Sequence, residues 1–294
     1  MSSLTHTAYA DALVTFIFSF LSLIGSILVL LSYIVARSKS TPRIANLILH
    51  LAASDFFWFL SAGIQATYWL FTDSSKVPSV ECFILSPLMI FTRMASLAWT
   101  CVISFNVLMS VEKRKWLWQG GDESWKEYHK RYYIAIFLLA APGTVLTLIK
   151  QHSNEDTSNL GCSPDYEALG VWYEVFFPEV LPIFLGFLVN VYVFLRVYGK
   201  ISKSAYPQSV RKRRKRIMYH YIIVCIICWV PTVATYMIEL IGFHSPEVEI
   251  IARACLYSSG FLNFLVFGMQ VRAYHALIYI HAITYHACSC DMDL

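Results

Sequence analysis

Seven blocks of mostly apolar residues run through the sequence, each about as long as a bilayer is thick. A helix rises about 1.5 Å per residue, so roughly 20 residues cross about 30 Å of hydrocarbon. Transmembrane β-strands would be about 10 residues long and alternate in polarity, which these blocks do not. The pattern predicts an all-α, seven-transmembrane helix bundle, with residues 1–294 as one domain. We number the blocks spans one to seven: 12–36, 44–72, 82–111, 132–149, 170–195, 217–243 and 250–271.

The composition agrees with a membrane protein and disfavours a cytosolic enzyme. Only 14% of the 294 residues are charged and 57% are hydrophobic, whereas soluble domains carry about 25% charged residues. Gly, Pro and Cys number 12, 10 and 8, which disfavours disordered, collagen-like and disulfide-stapled classes. An odd number of spans without an internal repeat also disfavours a transporter built from two matching halves.

The basic residues predict the orientation of the chain. All but four of the 23 Lys and Arg residues follow spans one, three, five or seven; Lys76 and Lys150 lie on the other side, and Arg93 and Arg253 lie within spans. By the positive-inside rule, the N-terminus is outside and the C-terminus inside. Basic residues directly follow span one, so we do not interpret it as a cleaved signal peptide. We expect a multi-pass plasma-membrane protein that does not bind nucleic acid.

The cysteines sort by side. Of the eight, only Cys82 and Cys162 face the oxidising side, so we expect one disulfide between them; the alternative is two free thiols. Cys288 and Cys290 follow a segment, about 272–287, in which Tyr, Leu and Ile recur with His at helical spacing. This pattern predicts an amphipathic helix on the inner membrane surface and makes these two cysteines candidates for lipidation. Otherwise they are unmodified residues of the tail.

Short motifs resemble one receptor family. GSILV at 25–29, LAASD at 51–55, AWT at 98–100 and LN at 262–263 with Gly268 resemble the cyclic-AMP-receptor-like (class E) G-protein-coupled receptors. Two features are closer to rhodopsin-class receptors, namely CWVP at 228–231 and the aspartate of span two, Asp55. Two features depart from the rhodopsin pattern: VEKR at 111–114 replaces Asp-Arg-Tyr, and Phe264, not Pro, follows Asn263.

The resemblance implies a receptor that senses an extracellular small molecule, similar to cyclic AMP, and activates a heterotrimeric G protein. It also implies a polar cluster in the core, formed by Asp55, Asn263, Ser26 and Ser96. A charge inside a span costs roughly 2.5–3.5 kcal/mol, so Asp55 needs a reason to be there. The cluster either repacks between inactive and active states or only orients the helices.

Polar residues in the outer half of the spans predict a ligand pocket of mixed charge. Arg93 either anchors an anionic ligand group or pairs internally with Asp55 or Glu179, and Glu239 is placed to pair with Arg253. We expect no cofactor and no metal. The pocket candidates are Gln65, Arg93, Tyr173, Glu174, Glu179, Tyr236, Glu239, Arg253 and Tyr257.

Trp229 precedes Pro231 by two residues, where the missing N–H permits a kink. A bulky ring beside a kink can couple pocket occupancy to outward motion of the inner half of span six; the alternative is plain packing. The inner surface carries basic clusters that attract anionic lipids and that we interpret as the G-protein face. These clusters are Lys113, Arg114, Lys115, Arg211, Lys212, Arg213, Arg214, Lys215 and Arg216.

Three other functions are weighed against a receptor. A retinal protein needs a Schiff-base Lys in span seven, which has none. A membrane hydrolase needs His and Asp metal ligands clustered within spans, and only His50 and His220 lie near span interiors. A channel or transporter remains the alternative, because it too would carry charged residues within spans.

Overall fold

The described part of the chain is helical. The structure, a computed structural model, describes residues 3–35, 43–71, 79–112, 122–153, 180–202, 208–240, 243 and 245–266, and these residues contain no strand. The helices are α1 (Ser3–Val35), α2 (Arg43–Phe71), α3 (Ser79–Glu112), α4 (Asp122–Ser153), α5 (Leu181–Ser202), α6 (Gln208–Leu240) and α7 (Pro246–Tyr257). The helix resumes after α7, over residues 259–266.

Most helices extend past the apolar blocks that predict them. Helix α4 begins at Asp122 and α6 begins at Gln208, so both include polar residues that precede their spans. A helix keeps its backbone hydrogen bonds whether lipid or water surrounds it, so hydropathy marks the buried length and not the helix ends. Within the described part of the chain, four stretches are long and apolar enough to cross a membrane: Tyr9–Tyr33, Asn46–Phe71, Phe83–Met109 and Leu181–Ser202.

Span seven, predicted over 250–271, contains a break in its helix. Helix α7 ends at Tyr257, Ser258 forms a turn, and the helix resumes at residue 259. Residues 267–271 lie outside the described part of the chain. We use "span seven" below for α7 together with residues 259–266.

The helices pack as a closed ring in chain order. Helix α1 contacts α2, α2 contacts α3, α3 contacts both α4 and α5, α5 contacts α6, and α6 contacts α7; α7 closes the ring on α1. One buried cluster joins α2 to α7 through residues such as Trp58, Leu97, Ile183, Trp229 and Leu256. This ring holds the candidate polar and aromatic residues at the bundle interior.

Helix α1 shows how the ring divides its surfaces. The residues on its buried face have small side chains: Ala12, Ser19, Ser22 and Ser26 are all less than 9% exposed. Its outward face carries large apolar side chains. Small residues on an inner face with large apolar ones outside is the arrangement of a membrane helix, because backbones approach closely within the bundle while lipid covers the rest. The outward residues are Leu13, Ile17, Phe20, Leu21, Ile24, Ile27, Leu28 and Leu31.

Candidate functional site

A buried carboxylate on α2 joins three parts of the bundle. Asp55 is 2% exposed. Its Oδ1 accepts a hydrogen bond from the hydroxyl of Ser96 on α3, and its Oδ2 accepts one from Nδ2 of Asn263 in span seven at 3.2 Å. Each carboxylate oxygen therefore has a neutral donor, which offsets part of the cost of burial. Asp55 links α2, α3 and the half of span seven that follows Ser258.

Ser26 lies apart from this group. Its hydroxyl donates to the carbonyl of Ser22, one turn earlier in the same helix, at 2.9 Å. A serine within a helix commonly bonds to the carbonyl four residues back in this way. The hydrogen-bonded group that the structure brings together is thus Asp55, Ser96 and Asn263, and Ser26 stays within α1.

A small cavity of about 20 Å³ lies between this polar group and span six. That volume is room for about one water molecule, and a buried water needs two to four polar partners. The cavity is lined by the hydroxyl or amide groups of Ser96, Thr100, Ser259 and Asn263. The cavity is lined by Ser96, Thr100, Val224, Cys225, Cys228, Trp229, Ser259 and Asn263.

Trp229 of α6 also lines this cavity. It is 5% exposed and belongs to the buried cluster that also contains Trp58, Phe59 and Leu256. Pro231 lies inside α6, and the hydroxyl of Thr235 donates to its carbonyl at 2.9 Å. Trp229 therefore lines the cavity beside the polar group and also belongs to the buried cluster.

Arg253 on α7 pairs with two carboxylates. Its guanidinium binds Asp11 of α1 and Glu249, one turn earlier on α7. The sequence pattern favoured Glu239 as its partner; the side chain of Glu239 lies outside the described part of the structure. Asp11 was missed because it lies one residue before the apolar block that defines span one.

The start of α7 adds to the acidic character of this end. Ser245 is the N-cap and Pro246 occupies the first turn, the position where its missing N–H costs least. The hydroxyl of Ser245 donates to the carboxylate of Glu247 at 2.9 Å.

Four predicted pocket residues besides Arg253 are described, and they lie on different helices. Arg93 of α3 is 8% exposed, Tyr236 and Tyr257 pack against the buried aromatic cluster, and Gln65 of α2 is half-buried. The rings of Tyr257 and Trp58 lie 6.0 Å apart. Tyr236 and Tyr257 thus adjoin the same cluster that holds Trp229.

Several predicted residues lie outside the described part of the structure. For residues in the helices this applies to the side chain only. They are Cys82, Cys162, Tyr173, Glu174, Glu179, Glu239, Lys113, Arg114, Lys115, Arg211, Lys212, Arg213, Arg214, Lys215, Arg216, Cys288 and Cys290.

Two interhelical contacts were missed from the sequence. Asn190 of α5 accepts a hydrogen bond from Ser104 of α3, and its Nδ2 lies 3.3 Å from the Sγ of Cys101. His50 of α2 stacks on Trp99 of α3 at 4.9 Å. A polar residue within an apolar block was the available signal at Asn190, but the sequence does not say which helix it faces.

A third missed contact lies in span seven. The hydroxyl of Ser22 donates to the carbonyl of Tyr257 and accepts a hydrogen bond from the backbone N–H of Phe261 at 3.1 Å. Alanine at Gly25 would place its Cβ 2.9 Å from the carbonyl oxygen of Gly260. Helix α1 therefore approaches span seven closely at the point where that helix is interrupted.

Comparison of the sequence with known proteins identifies a receptor family. Residues 25–279 match the model of the 7 transmembrane receptor (rhodopsin family). The chain is similar to cyclic AMP receptor-like protein C of Dictyostelium discoideum, with 24% identity over 253 residues, covering 78% of this chain. The chain spans 64% of that relative's length. The matched region includes the polar group at Asp55, the Trp229–Pro231 segment and all of span seven that the structure describes.

Proposed function

Because the chain belongs to the rhodopsin-like family of seven-transmembrane receptors, whose members are receptors and not enzymes, we propose that it senses an extracellular small molecule and activates a heterotrimeric G protein. The proposal includes a plasma-membrane location with the N-terminus outside. The observation that carries it is the buried group of Asp55, Ser96 and Asn263 beside Trp229. This group joins three helices next to a cavity, so small shifts of those helices change which groups pair.

The mechanism follows from how this group is built. A ligand in the outer half contacts residues such as Arg93 and Tyr257, and Tyr257 packs against the buried cluster containing Trp229. A ligand that binds one arrangement of this cluster better than another shifts the population toward it. The inner half of span six then moves outward at Pro231 and opens a groove for the G protein, whose binding the basic residues of 113–115 and 211–216 favour.

The chemistry of the outer half favours a small anionic or zwitterionic ligand. Arg93 is a buried cation, and a guanidinium offers paired donors to phosphate or carboxylate. The name of the similar Dictyostelium protein refers to cyclic AMP. Cyclic AMP is therefore the first compound to test, followed by other small phosphates and carboxylates.

The test is nucleotide exchange on purified G proteins. The receptor in lipid nanodiscs is mixed with Gα subunits of each class, βγ subunits and GTPγS, with and without cyclic AMP and the other compounds. Ligand-dependent GTPγS binding by at least one Gα class supports the proposal. Ion current through a bilayer containing the purified protein, with no exchange on any Gα, would replace it with a channel.

A further inference from the structure

Span seven is interrupted where a hydroxyl from another helix enters it. In a continuous helix the N–H of Phe261 would donate to the carbonyl of Tyr257, four residues earlier. Instead, the Ser22 hydroxyl lies between these two groups: it donates to the Tyr257 carbonyl and accepts from the Phe261 N–H. A side chain inserted into the helical hydrogen-bond ladder is a recognised cause of a break or kink.

The backbones of α1 and span seven approach closely around Ser22. Ser22 is 0% exposed. A Cβ at Gly260 would lie 2.9 Å from the Cβ of Ser22 and 2.5 Å from Cε2 of Phe59, and a Cβ at Gly25 would lie 2.9 Å from the carbonyl oxygen of Gly260. The two glycines bring the backbones close enough for one short hydroxyl to span the gap.

The break separates two functional parts of span seven. Tyr257, on the outer side, packs against the buried aromatic cluster, and Asn263, on the inner side, donates to Asp55. The turn at Ser258 lies between them, with the N–H of Leu262 donating to the Ser258 carbonyl at 3.0 Å. The orientation of one part relative to the other is therefore set at the point that Ser22 occupies.

We propose that Ser22 is a positioning residue: by completing the interrupted hydrogen-bond ladder of span seven, it fixes Tyr257 relative to Asn263 and so couples the ligand pocket to the polar group at Asp55. The coupling part of this inference rests on the proposed receptor function. Helix α1 contributes to signalling through this hydroxyl.

The chain offers matched controls in the same helix. Ser26 is also buried, and its hydroxyl bonds within α1 to the Ser22 carbonyl. Ser19 is buried, and its hydroxyl has no hydrogen-bond partner among the described residues. Ser26→Ala and Ser19→Ala each remove a buried hydroxyl from α1 and leave span seven intact. Ser22→Cys keeps a side chain of similar shape at position 22 but supplies only a weak donor and acceptor.

The first measurement is amide hydrogen exchange, followed by mass spectrometry, in a peptide covering residues 254–264 of the purified receptor without ligand or G protein. Losing one interhelical hydrogen bond in a membrane should change the rate of amide exchange by roughly three- to twentyfold, given the measured strength of such bonds. We expect a change of this size in Ser22→Ala and Ser22→Cys, and wild-type exchange in Ser26→Ala and Ser19→Ala. Equal exchange in Ser22→Ala and Ser26→Ala, or wild-type exchange in Ser22→Cys, overturns the positioning role.

The second measurement is ligand-independent GTPγS binding by the G protein, at matched surface expression. We expect Ser22→Ala to change this rate by threefold or more relative to wild type, with Ser19→Ala unchanged. An altered exchange pattern with an unaltered GTPγS rate overturns the coupling. If the wild-type receptor activates no Gα class, the proposed function fails, and amide exchange alone decides whether Ser22 holds the break.

Discussion

Gly25 shows how one missing side chain can fix the distance between two helices. An added Cβ would meet the carbonyl oxygen of Gly260 and the Cα of Phe261, each at 2.9 Å. Both are backbone atoms, so neither can relieve the overlap by changing rotamer as a flexible side chain would. The contact of α1 with span seven therefore depends on the absence of a Cβ at this position.

We expect Gly25→Ala to destabilise the receptor by roughly 1–3 kcal/mol, the usual cost of overpacking, although alanine favours helix more than glycine does. The measurement is thermal unfolding in detergent. Gly199→Ala is the matched control, because nothing lies within 4 Å of a Cβ there, and it should leave the melting temperature equal or slightly raised. A melting temperature for Gly25→Ala that matches Gly199→Ala would contradict the close approach.

Asp55 is the second position where a single residue matters. Each of its carboxylate oxygens accepts a hydrogen bond, from Ser96 and from Asn263. In Asp55→Asn one oxygen becomes an NH₂ group that faces another donor, so one of the two links is lost. We expect reduced maximal GTPγS binding with surface expression retained, since the cost of burying the charge is also removed.

Ser61→Ala is the control for Asp55→Asn. Ser61 lies on the same helix and is 1% exposed, but its hydroxyl bonds to the carbonyl of Phe57 within α2. Its replacement should leave maximal GTPγS binding unchanged. A normal dose response in Asp55→Asn, at equal expression, would remove the polar group from the mechanism.

At the scale of elements, α6 brings an aromatic ring, a proline and the cavity together. Trp229 lines the cavity and Pro231 follows within the same turn. Trp229→Phe keeps an aromatic ring but leaves part of the space empty, so the ring no longer contacts both the cavity and the aromatic cluster. We expect a loss in maximal GTPγS binding that exceeds any shift in ligand concentration for half-maximal effect.

Trp99→Phe is the matched control for this substitution. Trp99 is equally buried, at 3% exposed, but it stacks on His50 between α2 and α3, away from the cavity. It should lower stability without a selective loss of maximal response. If both variants lose signalling in proportion to stability, Trp229 acts only through packing.

The ion pair of Arg253 with Asp11, which joins α7 to α1, is expected to be weak. The side chain of Arg253 is 42% exposed, and ion pairs this accessible contribute about 0–1 kcal/mol. We expect Arg253→Met to lower the melting temperature slightly at low salt. At about 1 M salt, where the Debye length is about 3 Å, variant and wild type should coincide. A large, salt-independent loss would mean that Arg253 acts through packing instead.

The elements show where prediction from sequence succeeds and where it stops. Apolar length predicts the helices because the hydrocarbon thickness sets how long an apolar helix must be. A set of short motifs predicted a G-protein-coupled receptor, and the match to the seven-transmembrane receptor family confirmed this. The break at Ser258 was not predicted, because the hydroxyl that interrupts the helix comes from α1. Three serines of α1 are buried, and no local pattern distinguishes Ser22, which crosses to span seven, from Ser26, which does not.

At the scale of the whole molecule, the closure of the ring constrains which ends share a side. Asp11, in the first third of α1, contacts Arg253, in the first half of span seven, so α1 and span seven begin at the same end of the bundle. Helix α6 begins at Gln208 and includes the basic run 211–216. Only a short connection separates Leu240, where α6 ends, from Pro246, where α7 begins, and the two helices contact each other. Packed helices joined by a short connection run antiparallel, so the basic start of α6 lies at the opposite end.

The charge distribution predicts which end is which. Lys and Arg are retained on the cytoplasmic side during insertion, so the end that carries 211–216 should be inside and the start of α1 outside. We expect an epitope tag placed before Ser3 to be labelled by antibody on intact cells, and a tag after Leu294 only after permeabilisation. Replacing 211–216 with alternating Ser and Gln should weaken this preference, whereas changing Lys76 should not. Labelling of the C-terminal tag on intact wild-type cells would reverse the orientation, and would place Arg93 and Tyr257 on the side away from any extracellular ligand.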